Sequence, residues 1–218
     1  YEYAKGGYAS ANADAMNRVV DPVTEIVSLK DYRLRHAQYK TDPQLQKLHA
    51  QMPMIAVWDD HEVANDTWMN GAENHQPQTE GDFKVRKAAA IKAYHEWMPT
   101  RVGADPAIIY RSFTFGDLLA LHMLDTRLIG RDQQLDYNKL LAVPPAQLQA
   151  TLQAALGDPK RELMGATQTA WLQKNMSASN ATWQVLGQQV VMGRMNVPAP
   201  LLLGFLGAVL GGLWVLLS

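Results

Sequence analysis

The segment Trp58-Asp59-Asp60-His61-Glu62 brings three carboxylates and an imidazole into five residues. It follows an apolar run, Met54-Ile55-Ala56-Val57, that reads as a buried strand. In α/β sheets ligands bind outside the carboxyl ends of the strands, so these side chains arrive where a ligand would sit. Asp59 and Asp60, side by side, repel each other unless a positive group lies between them. A hard cation, which takes carboxylate oxygens, is one such partner. A helix N-terminus is the other reading: one aspartate caps and Glu62 falls in the first turn, where the helix dipole favours it.

Two more strand ends carry charge. Met123-Leu124-Asp125-Thr126-Arg127 closes one apolar run, and Tyr110-Arg111-Ser112 lies on another. If these strands are neighbours, Asp59, Asp60, His61, Asp125, Arg111 and Arg127 gather at one edge. Carboxylates with arginines suit a phosphate bound to metal, the planar guanidinium gripping its oxygens bidentately. Asp125–Arg127 or Glu62–Arg111 ion pairs that only cap the sheet would use the same residue types. His61 could donate a proton to a leaving alkoxide or ligate a metal. His36, His49 and His95 fall in charged helical segments and read as solvated, His122 as a core histidine, and His75 stays open. Asn65 and Asn74 are either neutral ligands or turn residues.

Other chemistries lose ground. No GxxxxGK[ST], no strand-anchored GxGxxG and no GxSxG elbow is present. Cysteine is absent, which removes disulfides and thiolate chemistry. A net charge of −1 and a pI of about 6.7 give no basic stripe for a nucleic-acid surface. With 218 residues, 47% apolar and 19% charged, the chain suits one globular domain.

The elements that would position the site alternate along the chain. Residues 1–20 read as a loop leading to a short helix. Thr24–Lys40 has a helical apolar rhythm, and Thr41-Asp42-Pro43 restarts a helix. The strand 54–58 and a polar loop, 65–81, follow. Residues 82–97 form an amphipathic helix with Phe83, Ala90, Ile91 and Tyr94 among its apolar positions. Runs 108–115 and 118–124 flank Gly116-Asp117, a type I′ hairpin signal. A loop with a short helix covers 143–165, a helix runs from Thr167 to about Ser177, and 182–192 reads as a strand. The pattern predicts an α/β fold. From Asn196 on there is no charge, and Leu201–Leu217 is apolar or glycine throughout, the lower length limit of a membrane span. Gly207 and Gly211 form a GxxxG there.

Several linked segments resemble the alkaline phosphatase D (PhoD-like) family of metallophosphoesterases. They are YEYAKGGY (1–8), VWDDHEVANDTW (57–68), KAAAIKAYHEWMP (87–99), IYRSFTFGDLLALHMLDTR (109–127), GRDQQ (130–134), LMGATQTAWL (163–172) and WQVLGQQVVMGRM (183–195). The resemblance implies a phosphomonoesterase or phosphodiesterase on a four-layer α/β/β/α sandwich, with Fe(III) and Ca(II), periplasmic or secreted in bacteria. It makes Asp60 a metal ligand, His61 an active-site neighbour and Arg111 phosphate-holding; the strand-end pattern adds Asp59 and Asp125 as candidate metal ligands and Arg127 beside Arg111. Tyr1 matches the tyrosine that closes the family's Gly-Asp-x-x-Tyr motif and ligates iron.

The Gly-Asp of that motif and the later Gly-Asp-x-His segment are not in the sequence. The expectation is therefore a PhoD-like domain over 1–200, incomplete at both ends, followed by an apolar tail, 201–218, able to contact a membrane. A chain holding part of the ligand set is expected to hydrolyse phosphate esters poorly by itself. A non-catalytic, membrane-tethered fragment or pseudoenzyme is the alternative, and a phospholipase-type phosphodiesterase is a third reading.

Overall fold

Local sequence sets where the helices begin. The computed structural model describes residues 1–7, 11–101 and 103–191. Helix α1 (Leu29–Tyr39) opens with a capping box: Ser28 accepts from the Asp31 backbone N–H, and the Asp31 carboxylate accepts from the Ser28 backbone N–H at 2.9 Å. Helix α2 (Pro43–Gln51) opens with Asp42 accepting from Leu45 and with proline in the first turn. Helix α3 (Pro77–Glu80) is one turn inside the polar loop. Helix α4 (Phe83–Trp97) is capped by Asp82. The chain continues through α5 (Tyr137–Leu141), α6 (Pro145–Leu156) and α7 (Gly165–Ala178).

The sheet has three strands among the described residues, in the order β1 (Arg111–Phe115), β2 (Leu119–Met123), β3 (Trp183–Gly187). The first two pair antiparallel, with Phe115 opposite Leu119, and β3 joins β2 in parallel, with His122 opposite Leu186. Ala120 and His122 alternate into the buried face of β2. Helix α7 covers that face, its Trp171 ring lying edge-on to His122 and tilted on Tyr110. Mixed helices and strands make an α/β fold.

The apolar core lies beside the sheet, between α1, α4 and the segment 57–64. Ile26, Tyr32, Trp58, Val63, Phe83, Ile91 and Tyr94 are buried together, Trp58 packing edge-on against Tyr94. Burial of large side chains of this kind stabilises by about 1.5–3 kcal/mol each. Two buried arginines knit loops to this core. Arg35 donates to the carbonyls of Tyr1, Tyr3, Asp21, Pro22 and Thr24. Arg86 donates to the Tyr32 hydroxyl, the carbonyls of Ile26 and Asn74, and the carboxylates of Glu25 and Glu80.

The structure revises several expectations. Residues 54–58 are extended but pair with no strand among the described residues, and Met54 and Ile55 are exposed. Apolar content alone does not make a ladder; a partner must be present. The hairpin turn has three residues, with only Gly116 at positive φ (58°), so it is not a type I′ turn, which needs two. The described part of residues 1–20 forms turns and no helix, and α6 runs twelve residues where a short helix was expected. His36 is buried rather than solvated. No helix of the described residues is long and apolar enough to cross a membrane; the 201–217 run lies outside the described residues.

Candidate functional site

Trp58 holds the acidic segment in place. Its indole N–H donates to Asp125 Oδ2 at 3.0 Å, and its carbonyl accepts from Gln189 Nε2 at 2.9 Å. The same Gln189 amide donates to the Leu124 carbonyl at 2.7 Å. The end of the 54–58 run is thereby fastened to the end of β2, although the two share no ladder. Beyond this clamp the chain turns: the backbone N–H groups of Val63 and Ala64 both donate to the Asp60 carbonyl at 2.8 Å. The Glu62 carboxylate folds back onto the Asp59 backbone N–H at 2.7 Å. These contacts belong to a tight turn, not a helix N-terminus.

Arg127 meets the carboxylates there. Its Nε donates to Asp59 Oδ1 at 2.7 Å, and its terminal nitrogens lie 3.7 Å from Asp60 and 3.7 Å from Asp66. The positive group between the neighbouring aspartates is therefore a guanidinium. Asp60 is largely buried, and burial works to raise its pKa. The Asp66 backbone N–H, donating at 2.8 Å, and the charge of Arg127 outweigh burial and hold it below the usual aspartate value. Asp60 is thus a carboxylate at neutral pH.

His61 leaves the same turn and meets Glu2. The Glu2 side chain is fully buried, and its carboxylate lies 2.9 Å from His61 Nδ1. It also accepts the Asn65 backbone N–H at 2.8 Å, with the Asn74 amide at 3.5 Å. Burial pushes the Glu2 pKa up, but the bond from His61 leads the groups that bring it below the ordinary glutamate value. An ionised carboxylate only accepts, so His61 must donate from Nδ1, which leaves Nε2 as the nitrogen able to exchange a proton or bind a ligand. The Tyr3 ring packs on His61 at 5.5 Å.

The remaining predicted residues sit differently. Asp125 is fully buried, its Oδ1 accepting the backbone N–H groups of Arg127 and Leu128 at 2.8 Å and its Oδ2 the Trp58 indole. Burial raises its pKa despite these donors. It shapes the turn that carries Arg127. Arg111 points back along the 54–58 run, donating to the carbonyls of Ile109 at 2.9 Å and Ala56 at 2.7 Å. It neither pairs with Glu62 nor joins the acidic edge. The Tyr1 ring packs against His36 and Tyr39, and burial, with the Glu62 charge next, pushes its phenol up to about 12. Among the described residues no three His, Asp or Glu side chains converge as a metal cage.

Three participants escaped the sequence reading. Asp66 and Glu2 lie in quoted segments, but neither has a local pattern that marks it: Glu2 meets His61 across 59 residues. Arg131 stands near Arg127 and the three aspartates in the GRDQQ segment. Only the fold shows these neighbours.

Carboxylates, an oriented imidazole and guanidinium groups thus meet at one edge of an α/β frame. The comparisons agree in class. A sequence model described as "PhoD-like phosphatase" matches residues 1–203, and the chain belongs to that family. It is 37% identical over 201 residues to alkaline phosphatase D of Bacillus subtilis (strain 168), an alignment covering 90% of this chain and 32% of that protein. It also matches the solved structure titled "Structure of PhoD" with a TM-score of 0.70 and 36% identity, covering 90% of this chain and 35% of that one. The chain thus spans about a third of the length of these relatives.

Proposed function

We propose that this chain belongs to a metal-dependent phosphoric ester hydrolase and carries the edge at which the phosphate ester is handled. One observation carries the reading. Asp59, Asp60 and Asp66 surround Arg127, while His61, one residue from Asp60, is held by Glu2, with no hydrogen bond at Nε2 among the described residues. Such an arrangement separates two tasks. The Arg127 guanidinium stabilises negative charge that develops on phosphoryl oxygens, an effect worth about 10²–10³ in rate for one well-placed donor. His61 gives or takes the proton at the ester or attacking oxygen, its tautomer set by Glu2.

Metal is part of this reading through the family, with Fe(III) and Ca(II) as the proposed ions. Asp60, with Asp59 beside it, is the carboxylate best suited to hold one, because it is ionised and partly buried. The described residues supply too few ligands for a complete site, and the activity of the 218-residue chain alone is expected to be low. The four-layer sandwich, the 1–200 domain and a periplasmic or secreted location belong to the same proposal, carried over from the family resemblance. Neither the geometry nor the comparisons favour the tethered-fragment alternative.

The test is hydrolysis of p-nitrophenyl phosphate and bis(p-nitrophenyl) phosphate by the chain supplied with iron and calcium salts, beside metal analysis of the purified chain. Turnover that falls about 10²-fold in H61A supports the reading. Turnover unchanged in both H61A and D60N refutes it.

A further inference from the structure

Arg111, Arg127 and Arg131 have their donors engaged to different extents. Arg111 gives its terminal nitrogens to the carbonyls of Ile109 and Ala56. Arg127 lies among Asp59, Asp60 and Asp66. The Arg131 side chain has no hydrogen bond and no carboxylate at ion-pair distance among the described residues, and its Nε is sealed from solvent without an acceptor. Its neighbour Arg127 is a like charge, offset only at longer range by the aspartates. A buried guanidinium N–H with no acceptor is costly, and such groups in folded proteins call for a specific explanation. A ligand oxygen is the partner the geometry lacks.

Arg131 also borders an opening. A cavity of about 400 Å³ lies between residues 131–135 and 161–163, with Arg131, Gln134 and Leu135 on one wall and Arg161 and Leu163 on the other. The two walls are pinned together. Asp132 Oδ2 accepts the Glu162 backbone N–H at 2.8 Å, and the Asp132 backbone N–H donates to the Glu162 carbonyl at 3.0 Å. Gly130 has no room for a side chain: a Cβ there would lie 2.3 Å from the backbone of Met164 and Gly165. Gln134 Nε2 donates to the Asp66 carbonyl at 2.6 Å, which ties the cavity to the acidic edge. Arg161 gives one nitrogen to the Gln133 carbonyl at 2.7 Å and is otherwise exposed. The Asp132 and Glu162 carboxylates also line the cavity, so its charge is balanced and selectivity must come from the placement of the two guanidinium groups.

We propose that this cavity is the pocket for the leaving-group side of the ester and that Arg131, faced by Arg161, grips a second oxyanion carried there. The assignment rests on the phosphoester reading and deepens it: the favoured substrates are phosphate esters with a further anionic group within one phosphate's length of the first. Arg131 is a specificity residue in this account, and the planar guanidinium is what makes it selective.

The test uses the whole chain and two probes, orthophosphate and inorganic pyrophosphate, titrated calorimetrically. Wild-type protein is expected to bind pyrophosphate at least about tenfold more tightly than orthophosphate, the equivalent of one charge-assisted hydrogen bond. R131Q removes that preference, and R161Q reduces it in part. Because the Arg131 side chain has no partner to lose, R131Q retains the wild-type melting temperature; R131K, which keeps charge without the planar fork, serves as a second variant and also loses most of the preference. Equal affinity for the two probes, binding of neither, or a tenfold preference surviving in both R131Q and R131K overturns the proposal. The parent reading fails separately: D60N and H61A leaving ester hydrolysis unchanged would sink it while the pyrophosphate preference stood.

Discussion

Replacing Asp125 by asparagine separates a structural carboxylate from a ligand. Asp125 Oδ1 accepts two backbone N–H groups and Oδ2 accepts the Trp58 indole N–H. In D125N the amide oxygen can keep the two backbone donors, but the amide nitrogen then faces the Trp58 N–H, donor against donor. One hydrogen bond to a charged acceptor is lost, about 1.5–3 kcal/mol, and a buried donor is left unsatisfied, about 1–3 kcal/mol. Relief from burying a charge in a site that raises its pKa recovers part of this. A net loss of about 2–4 kcal/mol follows. Urea denaturation followed by tryptophan fluorescence measures it, since Trp58 is buried beside Tyr94. A change below about 0.5 kcal/mol, the ordinary scatter for a neutral surface substitution, would refute the reasoning. So would full stability combined with loss of bound metal, which would return Asp125 to the ligand set.

Three further outcomes follow from other contacts. In E2Q the carboxylate that fixes His61 is gone, so nitrogen-detected NMR, expected to report the Nδ1–H tautomer of His61 in wild type, should report a mixture of tautomers; an unchanged spectrum would remove Glu2 from the site. R86M strips a fully buried guanidinium from Glu25 and Glu80 and should cost about 3–5 kcal/mol in chemical denaturation; a loss under about 1 kcal/mol would contradict that network. Burial first, with the Lys40 and N-terminal charges, lowers His36 to about 4. The unfolded chain therefore binds this proton more readily than the folded one, and stability, complete above pH 6.5, falls as pH drops from 6.5 toward 4 by at most about 3 kcal/mol. H36F should flatten that window, and an identical pH profile would refute the assignment.

What the sequence disclosed follows physical range. Caps are local, so the start of α2 was legible from Asp42-Pro43, while α4 was legible from its apolar rhythm and the hairpin from its turn glycine. The Ser28–Asp31 capping box is equally local, yet the apolar rhythm from Thr24 on masked it. The run 54–58 looked like a strand because burial and pairing share one composition; only a neighbouring ladder distinguishes them. Asp59, Asp60, His61 and Arg127 were visible as residue types, but Arg127 reaches Asp59 across 68 residues. Arg111 misled because a guanidinium that satisfies carbonyls looks, in sequence, like one awaiting an anion.

The account turns on one edge, and hydrolysis measures it. With iron and calcium supplied, the chain should cleave p-nitrophenyl phosphate slowly, and D60N should lower that rate by about 10²–10³-fold. Equal, measurable rates in the two proteins would contradict the assignment of Asp60 and its neighbours to phosphate-ester chemistry.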